Sequence, residues 1–270
     1  MKRTVTFILA LSLMLGAVFG LSSCGSKLKY DNADKYTAGD WAQSVLISAI
    51  DVEWVNGKVE IVSHPYGYLA VSETSESELP EKMQMHWYYD GATLKIKPAA
   101  DGVKVNKLPE KTLTVYVPGF YSFSDIDVTT VSADISIADA GANFVDIETV
   151  SGKVDLNLVG RTEEIEIETV SGDVVLSSHV LRSIEIASSS GRVEVNGKAV
   201  PAETEITTVS GDILYNLPES AAFSAECQSA SGTVTNSFTG ATGGGNQIVN
   251  GGTAPVELTT VSGNITIGKK

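Results

Sequence analysis

Cysteine is almost missing from this chain. There are two in 270 residues, Cys24 and Cys227, too few for a disulfide scaffold or a cysteine-rich metal site. Histidine is equally scarce: His64, His86 and His179 stand far apart in sequence. The patterns His-Glu-x-x-His, Cys-x-x-Cys and Gly-x-Ser-x-Gly do not occur, so the usual sequence grounds for a zinc hydrolase, a redox dithiol or a serine hydrolase are gone. Positive charge is also short. Nineteen Lys and Arg face 33 Asp and Glu, for a net charge of −14, which argues against a nucleic-acid partner. Beyond the first two dozen residues there is no apolar run long enough to span a bilayer.

What the chain has instead is repetition. Thr149-Val150-Ser151-Gly152, Thr169-Val170-Ser171-Gly172, Thr208-Val209-Ser210-Gly211 and Thr260-Val261-Ser262-Gly263 are one motif. Ser188 to Gly191 and Ser229 to Gly232 are variants of it, and Thr130-Val131-Ser132-Ala133 opens the series with Ala in the Gly slot. Successive Gly slots are 19, 20, 19, 20, 21 and 31 residues apart, a period that marks a stacked repeat architecture. On both sides of each motif apolar residues alternate with polar ones, as in Ile165-Glu166-Ile167-Glu168 and Val193-Glu194-Val195, the signature of half-buried strands. Each unit therefore reads as strand, Ser-Gly bend, strand and return loop. The expected fold is all-β: a single-stack β-solenoid (β-helix-like) with coils of about 20 residues, its handedness left open. Ile147, Ile167, Ile186, Ile206, Cys227 and Leu258 occupy one register position and are expected to line the core; Val150, Val170 and Val209 are expected to help close each bend.

The chain opens with Lys2-Arg3, an apolar stretch from Phe7 to Leu21, and then Ser22-Ser23-Cys24-Gly25. This is a targeting segment rather than part of the fold. Its end resembles the lipobox of bacterial lipoproteins, which implies a lipidated Cys24 as the first mature residue and a membrane anchor. The segmentation expected is a lipoprotein signal peptide over 1–23; lipidated Cys, tether and N-terminal cap over 24–44, with a capping turn or helix near Trp41; irregular N-terminal β coils over 45–124; and regular repeats over 125–270. Ile50 to Ile61 carries the repeat's spacing around Gly57 and reads as an early, degenerate coil. Gly240 to Asn246 reads as a flexible loop that accounts for the 31-residue gap.

The Leu113 to Pro118 strand followed by Thr-Val-Ser-Gly-Asp coils resembles a widespread family of bacterial envelope proteins grouped as adhesins, a domain of unknown function. The resemblance covers roughly residues 45–267. It implies a β-solenoid in the cell envelope and supplies no catalytic residues.

Stacking would turn the repeat into columns. Six residues before each Gly slot stand Asp127, Asp146, Glu166, Glu185, Glu205, Glu226 and Glu257, with Asp51 at the same offset from Gly57. Like charges about 5 Å apart repel by about 1 kcal/mol in water and more beside a low-dielectric wall. The position after each slot holds Asp134, Lys153, Asp173, Arg192, Asp212, Thr233 and Asn264, alternating in sign over its first five members, as cross-strand ion pairing would require. Residues 125–268 carry 20 acidic against 5 basic side chains, whereas residues 25–124 carry 13 against 10. The acidic column has three readings: a solubilising face that discourages aggregation, a weak Ca²⁺ collector with too few ligands for tight binding, or a face for a cationic partner.

The chain reads as a non-enzymatic, extracytoplasmic lipoprotein, held to a membrane through Cys24 and acting as a surface-display or adhesion module. Its partner would be an envelope or host protein, a glycan or a cationic peptide. The alternative is an envelope component that binds divalent cations or cationic peptides through the acidic column. The remote enzymatic alternative is a polysaccharide-active β-helix; its site would stand out as a departure from the repeat, and Arg192, the nearest such departure, is already explained by charge alternation.

Overall fold

Parallel strands joined by a bend of fixed length place like residues beside like. In the computed structural model, which describes residues 26–44, 47–119, 121–239, 241–242 and 245–270, this generates two long sheets packed face to face. The stretch expected to be a signal segment, with Cys24, lies outside the described residues. Among the described residues each sheet has twelve strands, and the only helical turns are three short 3₁₀ segments. Each regular coil contributes one strand to each sheet, as Thr162–Thr169 and Val174–Ser178 do.

The core follows from the alternation. Residues Ile126, Val145, Ile165 and Ile184 form one inward row, and Val128, Ile147, Ile167, Ile186 and Ile206 the next. The facing sheet supplies Val59, Ile135, Val154, Val174, Val193 and Ile213. All are buried, and burial of each such side chain contributes roughly 1.5–3 kcal/mol. One inward row is broken by Thr204, whose hydroxyl lies 3.3 Å from the hydroxyl of the fully buried Tyr215. The two departures from apolar type satisfy each other. Cys227 is buried beside Leu258. Val150 and Val170 pack with Ala187 in a small cluster outside the main core.

The motif is the stacking device. In each of the later coils the hydroxyl three residues before the Gly slot accepts the N–H of that Gly: Thr149 from Gly152 (3.2 Å), Thr169 from Gly172 (2.9 Å), Ser188 from Gly191 (3.1 Å), Thr208 from Gly211 (2.7 Å). These hydroxyls are buried, and the turn is a side-chain mimic of a backbone turn. The motif Ser binds upstream. Ser171 donates both its N–H (3.0 Å) and its Oγ–H (3.2 Å) to the carbonyl of Val150 in the preceding coil; Ser190 does the same to Val170. Glycine is required because a Cβ at Gly172 would stand 1.9 Å from the carbonyl oxygen of Gly152, and one at Gly191 1.9 Å from that of Gly172. The first slot holds Ala133 because the coil beneath it turns differently, through Asn56 and a Gly57 at φ +92°.

Three expectations need correction. The last coil in sequence is not the last in space: Pro255–Thr260 lies between Glu203–Thr208 and Phe223–Ser229. The 31-residue gap is therefore more than a loop. The chain places the sixth copy one coil further out, adds the edge strand Gly245–Val249 antiparallel to it, and returns to fill the vacancy. Trp41 is in a strand, Trp41–Gln43, antiparallel to Leu69–Ser75, because its ring is needed in the core, where it is buried. The segment read as a tether is docked from Ser26 onward: Leu28 is buried and its N–H donates to Val103 O at 2.8 Å. The Ile50 to Ile61 coil is present as expected, formed by Ala49–Trp54 and Gly57–His64.

Antiparallel strands close both ends of the stack, covering edges that would otherwise recruit further strands. At the N-terminal end the buried Lys111 holds the closure. Its Nζ is 2.6 Å from Glu73, donates to the carbonyls of Met83 (2.9 Å) and Pro98 (2.5 Å), and stands 4.7 Å from the centre of the Trp54 ring. Breaking such a buried pair from one side costs about 3–5 kcal/mol.

Gly191→Ala is expected to destabilise the chain by ~3 kcal/mol through overpacking against a backbone carbonyl, while Ala133→Gly changes stability by under ~1 kcal/mol. Chemical denaturation of the two variants checks this. Equal midpoints would show that the slot is not sterically closed.

Candidate functional site

The outer face of the first sheet carries the acidic column. The register pairs Asp51 with Asp127, Asp127 with Asp146, Asp146 with Glu166, Glu166 with Glu185, Glu185 with Glu205, Glu205 with Glu257, and Glu257 with Glu226. All seven predicted residues and Asp51 form one row, one carboxylate per strand. Two residues on, Glu148 pairs with Glu168, which widens the acidic strip at its middle. Lys97 anchors the N-terminal end of the face, 2.5 Å from Glu53 and 4.0 Å from Asp51. Further along, Arg182 reaches Glu164 at 3.8 Å.

Crowding shows in the proton affinities. Partial burial, followed by the charges of Asp51 and Asp146, pushes Asp127 up to about 6. Burial and the neighbouring Glu166 and Glu148 raise Asp146 to about 6. Glu168 rises to about 7, through burial and then Glu148, Glu166, Asp146 and Glu185. Glu148 and Glu185 are raised for the same reasons. Desolvation and like charge act in one direction on these five carboxylates, and Glu168 retains its proton close to neutral pH.

The alternating column on the second sheet works differently from the expected ion-pair ladder. Lys153 Nζ bonds Asp155 at 2.9 Å and Arg192 Nη2 bonds Glu194 at 2.9 Å, each within its own strand. The acids of that column instead accept backbone N–H groups from the next coil: Asp134 from Lys153 (2.8 Å), Asp173 from Arg192 (2.9 Å), Asp212 from Asn264 (2.7 Å). They are capping groups of the stack.

The motif serines, committed to stacking, are not brought together with any histidine. His64 ends a strand of the second sheet with its Nε2 2.8 Å from Tyr68 O, and His86 opens a strand of the first sheet, buried against Gln84 O at 3.0 Å. His86 is thus a buried strand residue. Among the described residues no group of three or more His, Cys, Asp or Glu is placed to hold a metal ion. The parallel register sets these carboxylates side by side in a row, whereas a calcium ion takes six to eight oxygens converging on a point.

Residues 50–268 match the Toastrack DUF4097 family. The chain belongs to this family. Two solved structures are similar to this Toastrack chain: a "putative cell adhesion protein" from Clostridium sporogenes, 10% identical over 86% of this chain and 100% of that one with a TM-score of 0.38, and a "putative adhesin" from Bacteroides fragilis, 14% identical over 86% and 96% with a TM-score of 0.40. No curated protein matches it.

One feature of this Toastrack chain escaped the sequence reading. Tyr30, Tyr36 and Tyr88 line a cleft beside Asp51, where the docked N-terminal segment crosses the sheet. The available signal was the presence of two tyrosines in a stretch read as a tether, since aromatic residues are uncommon in linkers.

The raised carboxylates make stability fall with pH. Each holds its proton more tightly folded than unfolded, where the pKa is about 4. Its favourable contribution is therefore complete below about pH 4, declines between about 4 and 7, and is lost above that. Asp90, lowered by the backbone N–H groups of Thr93 and Ala92, acts oppositely but only in the acid range. Thermal unfolding is expected at a higher temperature at pH 5 than at pH 8, and Glu168→Gln should raise the pH 8 value and narrow the difference. A melting temperature that rises from pH 5 to pH 8 contradicts this.

Proposed function

We propose that this protein is a non-enzymatic lipoprotein of the cell envelope, anchored through Cys24, whose acidic sheet face engages a cationic protein or peptide surface. The observation that carries the proposal is the row of eight carboxylates held in register on one face. Like-charge crowding there opposes folding at neutral pH, and a cationic partner relieves it. The acids of the other column accept backbone N–H groups of the neighbouring coil, whereas those of this row are set against one another in register. The non-enzymatic reading is supported by the motif hydroxyls. Although they recur along the stack, they are hydrogen-bonded within it and not poised beside a base. The sequence of residues 21–25 supports the anchor.

Two measurements test this reading. Radiolabelled palmitate should enter the wild-type chain and not Cys24→Ser, and the substitution should release the protein from membranes. Poly-L-lysine should bind the purified chain more tightly at pH 8 than at pH 5.5, as Asp127, Asp146 and Glu168 deprotonate. Affinity should fall at least about tenfold between low and high salt and fall similarly in a Glu166→Gln, Glu168→Gln, Glu185→Gln triple variant. Unlabelled wild-type protein would overturn the anchor; poly-lysine binding indifferent to salt and to the triple variant would overturn the acidic face as its site.

A further inference from the structure

In a repeat protein the informative positions are those where the repeat stops. Along the first sheet the acidic row runs Glu205, Glu185, Glu166, Asp146, Asp127, Asp51 and then changes: the residue paired with Asp51 is Lys95, and the one paired with Lys95 is Tyr88. Over this point lies the segment that begins at Ser26. It is fixed by Leu28 N–H to Val103 O (2.8 Å), Gly102 N–H to Leu28 O (2.9 Å), Tyr30 N–H to Asp101 Oδ1 (3.2 Å) and Tyr30 O–H to Ala99 O (3.0 Å). The space between segment and sheet is a cleft of about 530 Å³, within the range of roughly 300–1,000 Å³ usual for small-molecule sites.

The lining selects a ligand class. Three tyrosines form a continuous aromatic wall. The rings of Tyr30 and Tyr36 are 4.7 Å apart at 57°, and those of Tyr36 and Tyr88 5.6 Å apart at 48°. The charges opposite them are already matched: Lys97, only 6% exposed, lies 2.5 Å from Glu53, and Lys95 lies 3.8 Å from Asp51. At the rim Lys29 stands with Asp31, and the Asp90 carboxylate accepts the N–H groups of Ala92 and Thr93. Three ammonium groups (Lys29, Lys95, Lys97) and four carboxylates (Asp31, Asp51, Glu53, Asp90) share the lining, so a cation and an anion each meet like charge there. What the cleft offers is a set of tilted aromatic rings for C–H contacts, with Lys35 Nζ 5.5 Å from the centre of the Tyr88 ring, together with phenol, ammonium and carboxylate groups that hydrogen-bond hydroxyls. Burial holds the Tyr30 phenol up at about 12 and Tyr36 also above its ordinary value, so both stay protonated at physiological pH; the Tyr30 O–H is committed to Ala99 O, which leaves its oxygen as an acceptor.

We infer that this cleft, built by Tyr30, Tyr36 and Tyr88 over the Lys97–Glu53 and Lys95–Asp51 pairs, binds an uncharged carbohydrate, a short stretch of neutral glycan. It is a second site, at the end of the acidic strip and sharing Asp51 with it.

Isothermal titration of the full chain, kept in a polyoxyethylene detergent, provides the test. The probes are maltotriose, cellotriose, mannotriose and triacetylchitotriose, with choline and inorganic phosphate as charged comparators. At least one trisaccharide should bind saturably. Tyr36→Ala and Tyr88→Ala should each weaken it at least about tenfold, the effect expected of an aromatic anchor, while Tyr36→Phe retains most of the affinity. Tyr66→Ala, a ring 61% exposed elsewhere on the surface, and Glu166→Gln with Glu185→Gln on the acidic strip should leave sugar binding unchanged. If Tyr88→Ala lowers the melting temperature, the folded Tyr36→Ala variant decides. Saturable binding of choline or phosphate without any sugar, sugar binding indifferent to both tyrosines, or no trisaccharide binding at all would each overturn the assignment.

Discussion

The close approach of one coil to the next at the Gly slot is the constraint on which the rest depends. A Cβ there would lie 1.8–1.9 Å from the carbonyl oxygen of the coil below at Gly152, Gly172, Gly191, Gly211, Gly263 and Gly232. This contact fixes the stacking distance at the bend. The adjoining Thr and Ser hydroxyls then satisfy the backbone groups that the tight turn would strand. With the bend fixed, the flanking strands have no freedom of register. A slip by one residue would turn every inward Ile and Val to solvent.

Rigid register makes every surface choice a column. For apolar residues this is favourable, because like stacks on like and the rows interdigitate across the two sheets. For charge it is not. On the second sheet the problem is met by using Asp134, Asp173 and Asp212 to cap backbone N–H groups and by pairing Lys153 and Arg192 within their own strands. On the first sheet the acids remain side by side, and the proton affinities of Asp127, Asp146 and Glu168 rise through burial and like charge. The rigid register that stacks the core thus also aligns the acids, at an electrostatic cost to the fold.

Much of this was legible in the sequence because the repeat encodes it locally. The period gave the coils, the alternation gave the inward rows of Ile147, Ile167, Ile186 and Ile206, and the constant offset from the Gly slot gave the whole acidic row. Two kinds of information were not local. The insertion of Pro255–Thr260 between earlier coils depends on a hairpin that closes the edge first, and spacing alone cannot distinguish a detour from a loop. The tyrosine cleft depends on the N-terminal segment packing back over residues some 50–70 positions later. Its polar composition suggested a tether, and only tertiary packing of Leu28 and Tyr30 overrides that.

The central claim is that the repeated motif is a stacking element, each of its polar groups bound to its own turn or to the neighbouring coil. Native-state hydrogen exchange measures this most directly. The amides of Ser171, Gly172, Ser190, Gly191, Ser210 and Gly211 should exchange through the same opening as the core-strand amides of Ile167 and Ile186, with protection within about tenfold of theirs. Motif amides exchanging about a hundredfold or more faster than those strands would show the bends opening on their own, and would contradict the account.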